Sequence, residues 1–70
     1  MPELPRLEAA EAERMLLKAG FVLLRTRGSH RVYGKGTARV VVPFHRGKTL
    51  HPKVTKQIID AIGRAGEDKQ

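Results

Sequence analysis

Apolar residues recur at helical spacing through the first part of the chain. Ala9, Ala12, Leu16 and Ala19 fall on one stripe with Met15 beside them, which predicts a helix over residues 6–19. Pro5 suits the start of such a helix, and Glu8 and Glu11 early with Arg14 and Lys18 late complement its dipole. Gly20 is a natural left-handed terminator, after which Phe21 can fold back on the last turn. Beyond it the signals are those of strands, predicted over residues 22–27, 30–35 and 39–43. Arg27-Gly28-Ser29 supplies the first turn and Gly34-Lys35-Gly36-Thr37 the second, links so short that neighbouring strands must be antiparallel.

Alternation along the first strand puts Val22, Leu24 and Thr26 on one face and Leu23, Arg25 and Arg27 on the other. Along the second, His30, Val32 and Gly34 share a face opposite Arg31, Tyr33 and Lys35. Periodicity alone does not say which face meets the helices. Pro43 ends the third strand or marks it as an edge. Residues 44–51 read as a loop, and Pro52 opens a second helix to about Ile62, with Val54, Ile58, Ala61, Ile62 and Ala65 on its apolar stripe. Gly63 and Gly66 mark where it should fray, and residues 67–70 read as a disordered tail. The expected fold is α+β, in the order α-β-β-β-α. A three-stranded antiparallel meander carries both helices on one face and leaves the other largely open.

Charge sharpens this picture. The 70 residues carry a net charge of +7. From Arg14 to Ile59 there are eleven Lys or Arg residues and no Asp or Glu. The acids are confined to the flanks: Glu3, Glu8, Glu11 and Glu13 before that window, and Asp60, Glu67 and Asp68 after it. So segregated a basic field is the footprint of a polyanion partner, a nucleic acid first of all. The length suits one domain over residues 1–70. No run approaches ~18 apolar residues, so no membrane span is expected. Met1-Pro2-Glu3 lacks the basic start of a secretion signal, and the chain has no cysteine, both of which fit a cytoplasmic protein.

The chemistry available inside the window is narrow. His30, His45 and His51 are the histidines. With no cysteine, and no acid near them in sequence, a metal site is not expected. A serine triad needs an acid to orient its histidine, so Ser29 is a poor nucleophile, and a pair of catalytic carboxylates is excluded within the window. One reaction fits. RNA carries its own nucleophile, the 2′-hydroxyl. Its transesterification needs a proton removed, a proton delivered to the leaving 5′-oxygen, and cations around the phosphorus. A histidine among Arg and Lys can supply all three without metal or cofactor. On chemistry alone, the better account of Gly28-Ser29-His30 is an ordinary turn followed by an incidental strand residue.

A set of short motifs favours the first reading. Gly20-Phe21, Arg25-Thr26-Arg27-Gly28-Ser29-His30, Val42-Pro43-Phe44-His45 and the closing helix around Ile58-Ile59 together resemble the HicA family of toxins, over about residues 15–63. The resemblance implies a double-stranded-RNA-binding-domain-like fold and metal-independent endonucleolytic cleavage of mRNA. It implies that His30 is the essential catalytic residue, and that a HicB-type antitoxin covers the site. On that reading Gly28 and Ser29 shape the turn that presents His30. Arg25, Arg27, Arg31, Lys35 and Lys56 are candidates to hold phosphates, and His45 matches the Val-Pro-x-His position as an accessory. The chain departs from the family where Lys53-Val54-Thr55 replaces a common Gly-Thr. It departs again where Arg31, rather than a histidine or aromatic, follows the motif histidine. One histidine must then serve both proton transfers unless His45 or His51 reaches the site. The rival expectation is a non-catalytic module that binds double- or single-stranded RNA. A purely structural or antitoxin-regulating role ranks third.

Overall fold

The computed structural model describes residues 5–67. Along them run α1 (Ala9–Lys18), β1 (Val22–Arg27), β2 (His30–Lys35), β3 (Ala38–Pro43) and α2 (Pro52–Glu67). The sheet order is β1-β2-β3 with both pairings antiparallel. This is the predicted α-β-β-β-α arrangement, the double-stranded-RNA-binding-domain-like α+β fold.

Two helix limits differ from the sequence reading. α1 starts at Ala9, not at Arg6, because the preceding residues pair elsewhere. The Leu7 carbonyl accepts the Leu50 N–H at 2.7 Å, and Glu8 forms an isolated antiparallel bridge with Thr49. Glu8 is thereby the N-cap, and the Glu11 carboxylate accepts its N–H at 3.0 Å. α2 runs through Gly63 to Glu67. A helical glycine costs only about 1 kcal/mol, too little to end a helix that is otherwise anchored. Glu67 is therefore helical, and the rest of the expected tail lies outside the described residues.

The end of α1 behaves as expected. Gly20 has φ 100°, the Gly20 N–H donates to the Leu17 carbonyl, and the Phe21 N–H donates to the Leu16 carbonyl at 2.9 Å. This double closure is a Schellman motif, and it carries Phe21 into the core. Both hairpins turn on two residues, Gly28-Ser29 and Gly36-Thr37. Each glycine has φ 59° and neither following residue has positive φ. A left-handed glycine at the first position is the type II′ pattern that matches strand twist.

The core lies between the helices and one face of the sheet. Ala9, Ala12 and Leu16 of α1 and Ile58 of α2 meet Phe21, Tyr33, Val40 and Val42. The alanines let α1 approach closely. Both helices thus cover the face that bears Tyr33, and the opposite face is open.

Strict alternation fails in β1. Its register with β2 runs Val22↔Gly34 and Leu23↔Tyr33, then skips Leu24 and resumes at Arg25↔Val32, Thr26↔Arg31 and Arg27↔His30. The extra residue is a β-bulge. Cross-strand partners share a face, so Leu23 points toward the helices with Tyr33, whereas Arg25 and Arg27 point away with Val32 and His30. The sequence reading had placed Leu23 with the two arginines.

Candidate functional site

The open face of the sheet gathers the predicted chemistry. At the hairpin end, Arg27, His30 and Pro43 form one cross-strand row, and Arg25, Val32 and Val41 form the next. Residues directly opposite in such a row have Cβ atoms roughly 4.5–5.5 Å apart, so Arg27 is an immediate neighbour of His30. Both are exposed, as is Arg25. Further along, Arg39 pairs with Gly34. A Cβ on Gly34 would meet Leu24 Cδ1 at 2.5 Å and Arg39 Nη1 at 2.9 Å, so the absent side chain lets Leu24 and Arg39 lie flat across the strand. Glu8, Glu11, Glu13 and Asp60 belong to the helical layer. Among the described residues, therefore, the open face carries no carboxylate.

The turn that presents His30 is fixed from below. The Phe44 N–H donates to the Ser29 carbonyl at 2.7 Å, tying the chain after β3 to the β1–β2 turn. The Arg31 guanidinium stacks 3.9 Å from the centre of the Phe44 ring, and its Nη1 donates to Glu13 Oε2 of α1 at 3.1 Å. The same carboxylate oxygen accepts the hydroxyl proton of the buried Tyr33. Burial first, and the Glu13 carboxylate second, push the Tyr33 hydroxyl up to about 12, with Arg31 opposing. Lys35 Nζ donates to the Ala19 carbonyl at 2.6 Å and so caps the end of α1.

The predicted phosphate-holding residues are thus divided. Arg25 and Arg27 share the face of His30, with Gly28 and Ser29 forming the turn between them. Arg31 and Lys35 lie on the other side of β2, engaged with α1. Lys56 is on α2 and pairs with Asp60 at 3.2 Å, an exposed contact of little energetic weight. His45 is exposed and lines a cleft of about 390 Å³ with Phe44, Arg46, Arg31 and the start of α1. His51 Nδ1 accepts the Lys53 N–H at 3.0 Å, and the His51 carbonyl accepts the Val54 and Thr55 N–H groups. His51 therefore acts as the cap of α2. Among the described residues no three His, Cys, Asp or Glu side chains come together as a metal site.

Sequence reasoning missed Glu13, Tyr33 and Phe44 as supports and Arg39 as a fourth basic residue of the open face. Glu13 lies 18 residues from Arg31 and 20 from Tyr33, and no spacing rule connects them. Arg39 could have been found, because alternation along β3 places it with Val41.

These residues define a small basic α-β-β-β-α domain with an exposed histidine and arginines on a sheet face that, among the described residues, carries no acid. The chain matches the family described as HicA toxin of bacterial toxin-antitoxin over residues 9–63, most of its length, and it belongs to that family. A search of curated proteins and a search of solved structures each returned no match. The protein is a toxin of the toxin–antitoxin type. Among the described residues no helix is long and apolar enough to cross a membrane.

Proposed function

We propose that this toxin is an endoribonuclease that cleaves mRNA in the cytoplasm without metal or cofactor, with His30 as its general acid and base. The observation that carries the reading is the row of Arg27 beside His30 on a face that, among the described residues, is free of carboxylates. His30 takes the proton from a ribose 2′-hydroxyl as that oxygen attacks the adjacent phosphorus. The bond from phosphorus to the 5′-oxygen breaks, and the protonated imidazole returns its proton to the leaving oxygen. The products are a 2′,3′-cyclic phosphate and a free 5′-hydroxyl. Arg27 and Arg25 hold the phosphates and balance the charge that grows in the transition state. Gly28 and Ser29 set the turn, and Lys56 and His45 are secondary contacts. Arg31 and Lys35 belong to the scaffold that holds β2 against α1. A HicB-type antitoxin, acidic where this face is basic, neutralises the toxin by covering His30.

The experiment is cleavage of an unstructured RNA by purified protein in excess EDTA, with the ends of the fragments identified. Cyclic phosphate ends and an undiminished rate are expected. A requirement for a divalent metal overturns the mechanism. Tight binding without cleavage would leave the RNA-binding module as the correct reading.

A further inference from the structure

A second surface lies on the opposite side of β3 from β2. Both outer strands have an unpaired edge among the described residues, and the two edges are built differently. β1 is broken by the bulge at Leu24, a device that blunts an edge against further pairing. β3 keeps unbroken register with β2 over its six residues, from Lys35↔Ala38 to His30↔Pro43. A two-residue turn closes on a hydrogen-bonded pair, here Lys35 and Ala38, and such pairs alternate along an antiparallel ladder. Ala38, Val40 and Val42 therefore spend their backbone groups on β2. Arg39 and Val41 aim their N–H and C=O groups outward, and Pro43 adds a carbonyl.

α2 stands beside this edge and makes it one wall of a groove. The groove has a volume of about 340 Å³, with Arg39, Val40, Val41, Ala61 and Arg64 among its lining residues. Asp60, the carboxylate among its lining residues, makes an exposed pair with Lys56 at 3.2 Å. Val41 remains 48% exposed. A strand laid along β3 would pair its main chain with Arg39 and Val41. Its alternate side chains would enter the groove on one side and lie beside Val41 on the other, which is how edge strands flanked by a helix take peptides.

We infer that the outer edge of β3, with its groove against α2, docks an acidic extended segment of a partner protein, which joins the sheet as a fourth strand. Charge selects this occupant. Arg64 and Arg39, the latter with its Nη1 on the Gly36 and Ala38 carbonyls at 2.8 Å, both line the groove, and the chain carries +7, so a second copy of it would bring like charge to the same edge. The added strand would lie about 10 Å from β2, at roughly 4.8 Å per strand step. A partner anchored there could therefore extend over the face of His30 while its anchoring contacts involve neither that residue nor Arg27. The docking site stands independently of any nuclease activity.

The test is titration of the isotope-labelled protein with a short, end-blocked peptide of alternating glutamate and valine, followed by NMR. The Arg39 and Val41 amides are expected to shift and gain protection from exchange, with accompanying shifts at Ala61. Val41→Pro removes one outward donor and leaves the β2 ladder intact, and it should weaken binding roughly tenfold. Arg64→Glu, on α2 and outside the ladder, should also weaken binding and reduce its dependence on salt. It keeps the test decisive if the proline variant fails to fold. Shifts confined to β1 or α1, an unchanged affinity in Arg64→Glu, or no shift at millimolar peptide would overturn the proposal. So would self-association of the protein through β3 in place of peptide binding.

Discussion

On β2, Arg31 and Lys35 point toward the helices while His30 and Val32 point away. On the inner face every cationic group reaches a fixed acceptor: Arg31 the Glu13 carboxylate, and Lys35 the last carbonyl of α1. On the open face Arg27 lies opposite an exposed histidine with Arg25 in the next row and, among the described residues, no acid nearby, while Arg39 at the far end turns its guanidinium onto the Gly36 and Ala38 carbonyls at 2.8 Å. The same residue types thus serve stability on one side and remain available to a polyanion on the other. Charge in a sequence identifies a basic protein, and the pleat decides which charges can meet a ligand.

Substituting adjacent residues tests this division most severely. His30→Ala should reduce RNA cleavage by roughly 10²–10⁴-fold, the usual range for an acid–base group, and leave the melting temperature unchanged. Arg31→Ala should do the reverse. It loses the Glu13 contact and the stack on Phe44, and a denaturant melt should show a loss of about 1–2 kcal/mol, discounted for partial exposure. RNA affinity in Arg31→Ala should keep the parent's salt slope. If Arg31→Ala flattens that slope and melts like the parent, the assignment of faces is wrong.

Alkaline titration probes the inner face alone. The Tyr33 hydroxyl is raised from its ordinary value of 10.0 to about 12, so the folded state holds this proton more tightly than the unfolded state. The resulting stabilisation is complete below pH 10 and is lost as pH rises toward 12. Denaturant melts across that range should fall more steeply for the parent than for Tyr33→Phe, which lacks the titrating group. Tyr33 is the only tyrosine, so phenolate absorbance reports its ionisation directly. Parallel curves for the two proteins would show that the Tyr33 hydroxyl is neither buried nor held by Glu13 strongly enough to raise it.

The smallest effect belongs to single arginines of the open face. Arg27→Ala should lower the slope of log affinity against log salt by about 0.7, one phosphate contact on a single strand, without altering stability. Lys35→Met should leave the slope alone and lower stability modestly. Measuring both slopes under identical buffers separates the faces even if cleavage is never observed.

Much of this was legible in the chain itself. Helical and twofold periodicity, Gly-Ser and Gly-Thr turns and the Gly20-Phe21 terminator determine the order of elements, because each depends on contacts a few residues apart. The acid-free window and the Gly28-Ser29-His30 turn likewise pointed to the residues that share the open face. Three features needed the tertiary structure. The start of α1 moved to Ala9 because Leu7 and Glu8 pair with Leu50 and Thr49. The bulge at Leu24 turned Arg25 and Arg27 away from Leu23, since an extra residue in one strand shifts every later side chain to the other face, and no local pattern in β1 marks where that residue falls. The face of β2 that carries Arg31 turned out to be the one against α1, where the Glu13 carboxylate, far away in sequence, engages it. Local chemistry wrote the elements, and long-range packing decided which cations stand beside His30.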